Sequence, residues 1–277
     1  MKKTILTLTI LSLYVFSFSQ TVENIDISKN LFFYNYVYKT DSLNHNKESN
    51  QEMILQVGKK YSKFTSKNKL TIDSLIQTVE KLEDNEAFTK LVPYLQRYNT
   101  PSICKYDIIK NQTNNKQITL YGFFGKGSYK VNDMRKINWK INYNKDTVIS
   151  GHKCKKATTK FAGRNYTAWY TLNIPISEGP YKFSGLPGLI VQISDNKKEH
   201  IFTLVKSTKP YKNQTIFFTK TNYIETTPKN YVKAYSAYYN DLFSRVSRDE
   251  ITTFKNEDDK IAALNRIAAK NNFIERY

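Results

Sequence analysis

Cys104 and Cys154 are the only cysteines in the 277-residue chain, and His45, His152 and His200 are its only histidines. These five side chains are the soft ligands and tunable nucleophiles available, so their spacing bounds the chemistry. His152-x-Cys154, completed by Cys104 or His200, has the donor types of a soft-metal site. Structural zinc sites place a close pair of ligands on each half, however, and here one half is missing. The spacing therefore points to no metal and no cofactor. Two cysteines admit one pairing, and in an oxidising compartment a Cys104–Cys154 disulfide is the expected arrangement. In a chain-entropy account, closing that loop would contribute roughly 4 kcal/mol.

Hydrolytic motifs are absent: there is no Gly-x-Ser-x-Gly elbow, no His-Glu-x-x-His helix and no glycine-rich phosphate loop. A Ser-His-Asp set or a pair of carboxylates needs only to meet in space. Hydrolysis of peptide or glycan thus stays open as a class, with no catalytic residue to name.

The compartment is legible at the start of the chain. Met1-Lys2-Lys3, the uncharged and mostly apolar run Thr4–Phe18, and Ser17-Phe18-Ser19 before Gln20 make a secretory signal peptide over residues 1–19. An apolar run of 15 residues falls short of the roughly 20 needed to span a bilayer. The mature chain is expected to carry no transmembrane segment, and with no cysteine near the cleavage point, no lipid anchor. Residues 20–277 are expected to form a single domain, periplasmic or secreted. The formal charge of +19, two units of it from Lys2 and Lys3, gives a field that attracts anionic envelope surfaces. Lysines such as Lys59-Lys60, Lys155-Lys156 and Lys197-Lys198 are scattered, as on a solvated surface. Nucleic acid is not an expected partner of an exported chain.

Several elements must position these residues. In Phe32 to Lys39 the alternation puts Phe32, Tyr34, Tyr36 and Tyr38 on one strand face, and Glu52–Gly58 with Tyr61–Phe64 continues it as a hairpin. Thr71–Leu91 changes to helical period, with Thr71 as N-cap and Pro93 as terminator. Ile103–Ile109, Gln117–Phe124, Ser128–Val131, Ile137–Tyr143, Val148–Ser150, Lys155–Phe161 and Tyr166–Asn173 are short strands. In Gly185-Leu186-Pro187-Gly188-Leu189-Ile190, Pro187 and Gly188 suit the central positions of a type II turn, leading into a strand through Asp195. His200–Val205 adds another. A helical tail covers about 228–272, opening on Thr227-Pro228, with a second helix starting at Asp258 or Asp259. Many short strands with short links, no internal repeat and no linker define the expected fold. It is one α+β, β-dominated domain: a large curved antiparallel sheet, running as a half-barrel-like meander, with helices packed against it.

The order Cys154-Lys155-Lys156-Ala157, Gly163-Arg164, Ala168-Trp169-Tyr170, Ile174-Pro175-Ile176, Gly179-Pro180, Lys182-Phe183 and then Gly-Leu-Pro-Gly-Leu-Ile resembles the GLPGLI family of secreted proteins from Bacteroidota. The likeness is dense from about Gly151 to Ile193. His152 stands where an aromatic is frequent in that family, and Tyr181 where tryptophan is common. The resemblance implies an envelope role near TonB-dependent outer-membrane transporters.

Three functions follow as expectations. The first is a non-enzymatic periplasmic accessory protein that binds such a transporter or its cargo. On that reading Arg164, Trp169 and Phe183 are candidate partner contacts, while the hexapeptide serves the architecture. The second is a periplasmic carrier whose aromatic-rich sheet shelters a lipid or other apolar ligand, and the third is the hydrolase. An apolar cavity of several hundred Å3 favours the carrier, an exposed apolar patch the accessory protein, and polar groups of perturbed pKa converging in a cleft the enzyme.

Overall fold

A computed structural model describes residues 21–42, 46–79, 89, 93, 104–113, 117–250 and 254–277. Residues 1–19, read from the sequence as a signal peptide, and His45 lie outside the described residues. β2 (Asn30–Lys39) sets the pattern for the sheet. Phe32, Tyr34, Tyr36 and Tyr38 are all buried in the core, because a period of two sends alternate side chains to one face. The hairpin continues into β3 (Glu48–Val57) and β4 (Tyr61–Ser66).

Two antiparallel meanders make the main sheet. The first runs from β2 through β3 and β4 to β5 (Tyr106–Asn111), β6 (Ile118–Phe124) and β7 (Gly127–Asp133). The second comprises β8 (Lys140–Ile149), β9 (His152–Phe161), β10 (Arg164–Thr171), β11 (Leu189–Asp195) and β12 (His200–Thr208). They join where β2 pairs with β12. There Tyr36 and Phe202 are direct cross-strand partners whose rings stack at 4.1 Å, the kind of pair that fixes a register. The Tyr34 hydroxyl also donates to the Ile190 carbonyl at 2.7 Å.

The sheet is mixed rather than purely antiparallel, since β14 (Ile224–Thr226) pairs parallel to β7 at one edge. No hairpin links β14 to β7, so nothing forces the antiparallel sense. β8 forms the opposite edge and does not pair with β14, so the sheet does not close into a barrel. On the face opposite Phe64, a two-stranded ribbon of β1 (Thr21–Ile27) and β13 (Thr215–Lys220) lies against β4. It covers the buried Lys63, whose ammonium pairs with Asp107 at 3.2 Å and donates to the Phe217 carbonyl at 2.8 Å.

Two boundaries differ from the sequence expectation, each for a local reason. Ile137–Tyr143 and Val148–Ser150 are not two strands: β8 is continuous and absorbs the polar insertion between Asn142 and Asp146 as a bulge. The first helix, α1 (Lys67–Val79), begins before Thr71, because the Ser66 hydroxyl accepts the Lys69 amide at 3.1 Å and acts as the cap. The Thr71 hydroxyl instead donates back to the Lys67 carbonyl. Most of the run on to Leu91 lies outside the described residues.

The hexapeptide turn is also built differently. Gly188 does not take a positive φ; Gly185 does, at 97°. The Gly188 amide donates to the Leu186 carbonyl at 2.8 Å, closing a γ-turn about Pro187. What Gly188 supplies is room, since an added Cβ would overlap the Thr171 carbonyl oxygen at the end of β10. Leu186, Leu189 and Ile190 are fully buried, and the Leu189 amide bonds to the Ile174 carbonyl at 3.0 Å. Gly188→Ala is expected to remove about 1–3 kcal/mol of stability through this overlap, read as a lowered urea midpoint by circular dichroism. An unchanged midpoint would show that the strand end yields freely.

Candidate functional site

The inner face of the first meander carries Tyr36 and Tyr38 from β2, Tyr106 from β5, Leu120 from β6 and Val131 from β7. Among the described residues no second sheet covers these side chains. Above them stand two helices and the end of the chain, and between the layers lies a cavity of about 800 Å3.

The sequence dictates both helices locally. In α2 (Pro228–Ser247) the Thr227 hydroxyl accepts the Asn230 amide and Pro228 opens the first turn, where its missing N–H costs nothing. In α3 (Glu257–Ala268) Asn256, rather than Asp258 or Asp259, is the cap, accepting the Asp259 amide at 2.8 Å. Three acidic residues then fill the first turn and Arg266 the last, which complements the helix dipole.

Tyrosines anchor α2 to the sheet. Tyr231 lies over Gly122 of β6, where any Cβ would strike its hydroxyl. Phe124 meets the Tyr231 and Tyr235 rings edge-on at 5.6 and 5.2 Å. No residue of α3 is buried, although Ala263 and Ile267 border the cavity. An amphipathic helix normally sets its apolar stripe against a core. Part of this stripe faces the cavity instead.

The chain end closes the site through two buried ion clusters. In the first, Arg164 at the start of β10 pairs with Asp195 at 2.9 Å and Glu199 at 2.5 Å, and donates to Asn272 Oδ1 and the Phe273 carbonyl. Arg276 adds a bond to Glu199 at 2.7 Å. In the second, Lys182 pairs with Asp133 at 2.8 Å and Glu275 at 2.5 Å, while Arg135 bridges the same two carboxylates. Tyr181 donates to Glu275 at 2.7 Å. Gly163, at φ 75°, leaves no space for a Cβ against the Arg276 backbone.

Electrostatics follow from this packing. Burial alone would raise Asp133, but hydrogen bonds from Arg135 and the charge of Lys182 hold it at about 2. Glu275 is likewise brought below the usual carboxylate range: burial opposes ionisation, and the charge and hydrogen bond of Lys182 overcome it. His200 moves well below its ordinary value because burial and the nearby Arg164 charge disfavour the imidazolium. Its Nδ1 lies 2.8 Å from the Tyr36 hydroxyl, so a neutral ring joins the aromatic stack. The phenols of Tyr106, Tyr231 and Tyr235 are raised by burial and stay neutral.

The residues singled out from sequence are dispersed. Arg164 and Phe183 are buried rather than surface contacts: Arg164 is held by the first ion cluster, and Phe183 packs against Tyr166 at 4.7 Å and Phe161 at 5.8 Å. Trp169 is half-buried on β10, with the Lys156 ammonium 6.0 Å from its ring. Cys104 and Cys154 form no disulfide with each other, and both are buried. Cys104 precedes β5 and Cys154 lies on β9, in different halves of the sheet order. Cys104 borders the cavity ahead of β5, whereas the Cys154 thiol on β9 bonds to the His152 carbonyl. Burial pushes the thiols up to about 12 and about 11, respectively. His152 is half-buried on β9 and His200 lies in the core. Among the described residues no three His, Cys, Asp or Glu side chains converge as metal ligands. Sequence reading missed the role of the chain end, for which Glu275-Arg276 gives only a faint signal of two charges beside Phe273 and Ile274.

A family described as a protein of unknown function (Porph_ging) matches residues 100–192, from the approach to β5 into β11 and across the hexapeptide. No curated protein matches the chain. Among solved structures, PNGF-II in space group P21 is similar at 14% identity with a TM-score of 0.47, and PNGF-II in C2 at 15% with 0.47. Each match covers 74% of this chain and 32% of the other. The chain thus spans about a third of the length of PNGF-II.

Two predictions test the ion clusters. Lys182→Met leaves Asp133 and Glu275 with only the partly exposed Arg135, and Arg164→Met leaves Asp195 and Glu199 with only the exposed Arg276 at Glu199; each is expected to cost about 3–5 kcal/mol in urea unfolding. A loss below about 1 kcal/mol, as for exposed pairs, would contradict the burial. Acid should act with a definite sign. The unfolded chain takes up protons near about 6.5 at His200 and about 4 at Asp133 and Glu275, whereas the folded chain resists until lower pH. Stability is therefore expected to fall as pH drops from about 6.5 toward 2. A urea midpoint that holds constant or rises over that range would contradict this.

Proposed function

We propose that the protein is a non-enzymatic carrier that shelters an apolar molecule between the tyrosine-rich sheet face and the α2–α3 pair. The observation that carries this reading is the cavity of about 800 Å3. Ligand pockets generally measure roughly 300–1,000 Å3 and are mostly apolar with a few placed polar groups. Here the polar groups include phenols, the Cys104 thiol, the Thr40 and Ser49 hydroxyls and a set of charged side chains. An unfilled apolar space of this size forfeits packing, and a bound hydrocarbon restores it. The under-packed α3 helix fits a lid that completes its core on the ligand.

As a GLPGLI-type exported protein directed out by Met1–Ser19, the chain would work where an apolar molecule must cross water between membranes or near a transporter. That setting joins the carrier reading to the accessory role suggested by the family resemblance. The cargo, rather than an exposed contact at Arg164 or Phe183, is then the link.

Filling the cavity tests the reading. The neutral fluorescent probe N-phenyl-1-naphthylamine is expected to bind saturably with enhanced emission. Val232→Trp combined with Ala263→Trp should weaken that binding by about ten-fold or more without lowering the melting temperature. Binding unaffected by the added rings would place the probe elsewhere and overturn the proposal.

A further inference from the structure

The border of the cavity is basic. Lys47 just before β3, Lys105 just before β5, Arg266 on α3 and Lys270 beyond it all contribute to it. Among the described residues of the lining Glu275 is the single carboxylate, and it is engaged by Lys182 and Arg135. Lys47, Lys105 and Lys270 form no ion pair with any described residue. Lys270 is half-buried. Burial disfavours its charged form, and the like charge of Lys105 acts in the same sense. The partly dry Lys270 ammonium thus lies near the exposed Lys105 with no counter-charge among the described residues, an arrangement that an anion relieves.

A second observation points the same way. Tyr38 lines the cavity and is buried, yet its hydroxyl has no hydrogen-bond partner. Ser49 sits beside it, but no bond of acceptable geometry joins them. A buried donor without a partner costs free energy that an acceptor on a ligand would recover. Beyond these groups the lining is mainly aromatic and aliphatic, and its buried charges, Lys182 and Glu275, are paired with each other.

Resting on the carrier reading, we propose that the occupant is a single-chain anionic amphiphile, its carboxylate or phosphate head seated at Lys105 and Lys270 and its chain among the tyrosines of β2 and α2. One hydrocarbon chain suits a cavity of this volume, which lies in the range for one ligand of modest size. A cationic amphiphile meets like charge at the border, and a neutral one leaves both ammonium groups without an anion.

Displacement of N-phenyl-1-naphthylamine by palmitate, 1-palmitoyl lysophosphatidate, hexadecanol and inorganic phosphate separates the outcomes, on the native chain and on Lys105→Gln with Lys270→Gln. Charge-assisted contacts of this kind should make palmitate or lysophosphatidate bind about ten-fold tighter than hexadecanol. The tighter of the two names the headgroup. The double variant should lose that preference while binding hexadecanol as before, and phosphate alone should displace nothing. Equal binding of palmitate and hexadecanol, or a preference that survives in the variant, would overturn the anionic seat and leave the carrier reading standing. Displacement by phosphate alone would overturn the seat as a headgroup site. Failure of every chain-bearing probe to bind would overturn the carrier reading and the seat together.

Discussion

The C-terminal segment from Asn272 to Arg276 is held to the sheet by charges with little access to water. Arg164 and Lys182 each take two carboxylates out of solvent, and desolvation of that kind is tolerated only where every group is answered. Here the answers come from the chain end: the Phe273 carbonyl and Asn272 to Arg164, and Glu275 to Lys182 and Arg135. The Tyr166 hydroxyl adds a bond to the Ile274 carbonyl at 2.8 Å. Because α3 runs directly into this segment, fixing the chain end fixes one end of the helix. Asn271 ties the same junction to Asp41 and to the Ser42 amide, just beyond β2.

That constraint explains why an open space survives inside a well-packed chain. α2 is pinned by ring contacts over β6 and β7 and by the approach of Tyr231 to Gly122. α3 is pinned by the chain end. With both anchors set by specific contacts, the helices cannot settle onto Tyr36, Tyr38 and Tyr106, and the cavity persists between fixed walls. The hexapeptide region does the opposite in the second half of the core. Phe183, Leu186 and Leu189 fill it completely, so the one sheet has a packed half and a hollow half.

Much of this architecture could be read from residue patterns. The tyrosine alternation in β2 identified its buried face because a half-buried strand has no other way to place four rings. Thr227-Pro228 marked the start of α2 because cap chemistry is local. Gly188 was read through dihedral preference, whereas the structure uses it for close approach to Thr171, and only tertiary contact distinguishes the two. Arg164 looked like a charge available to a partner, and Lys182 drew no role of its own. Their partners lie in the same chain, and nothing at Gly163-Arg164 or Lys182-Phe183 announces a receptor for residues near the end. The cavity was illegible for the same reason: it is a relation between β2, β5 and two helices far along the chain.

The most direct measurement is the location of a bound hydrocarbon chain. Isotope-filtered nuclear Overhauser spectra of the protein with carbon-13-labelled palmitate report which rings lie within a few ångströms of the methylenes. The account predicts cross-peaks from the chain to Tyr36, Tyr106, Tyr231 and Tyr235, on both walls of the cavity at once. Cross-peaks confined to exposed side chains such as Tyr143 and Val148 on the edge strand β8, with the cavity rings silent, would contradict it.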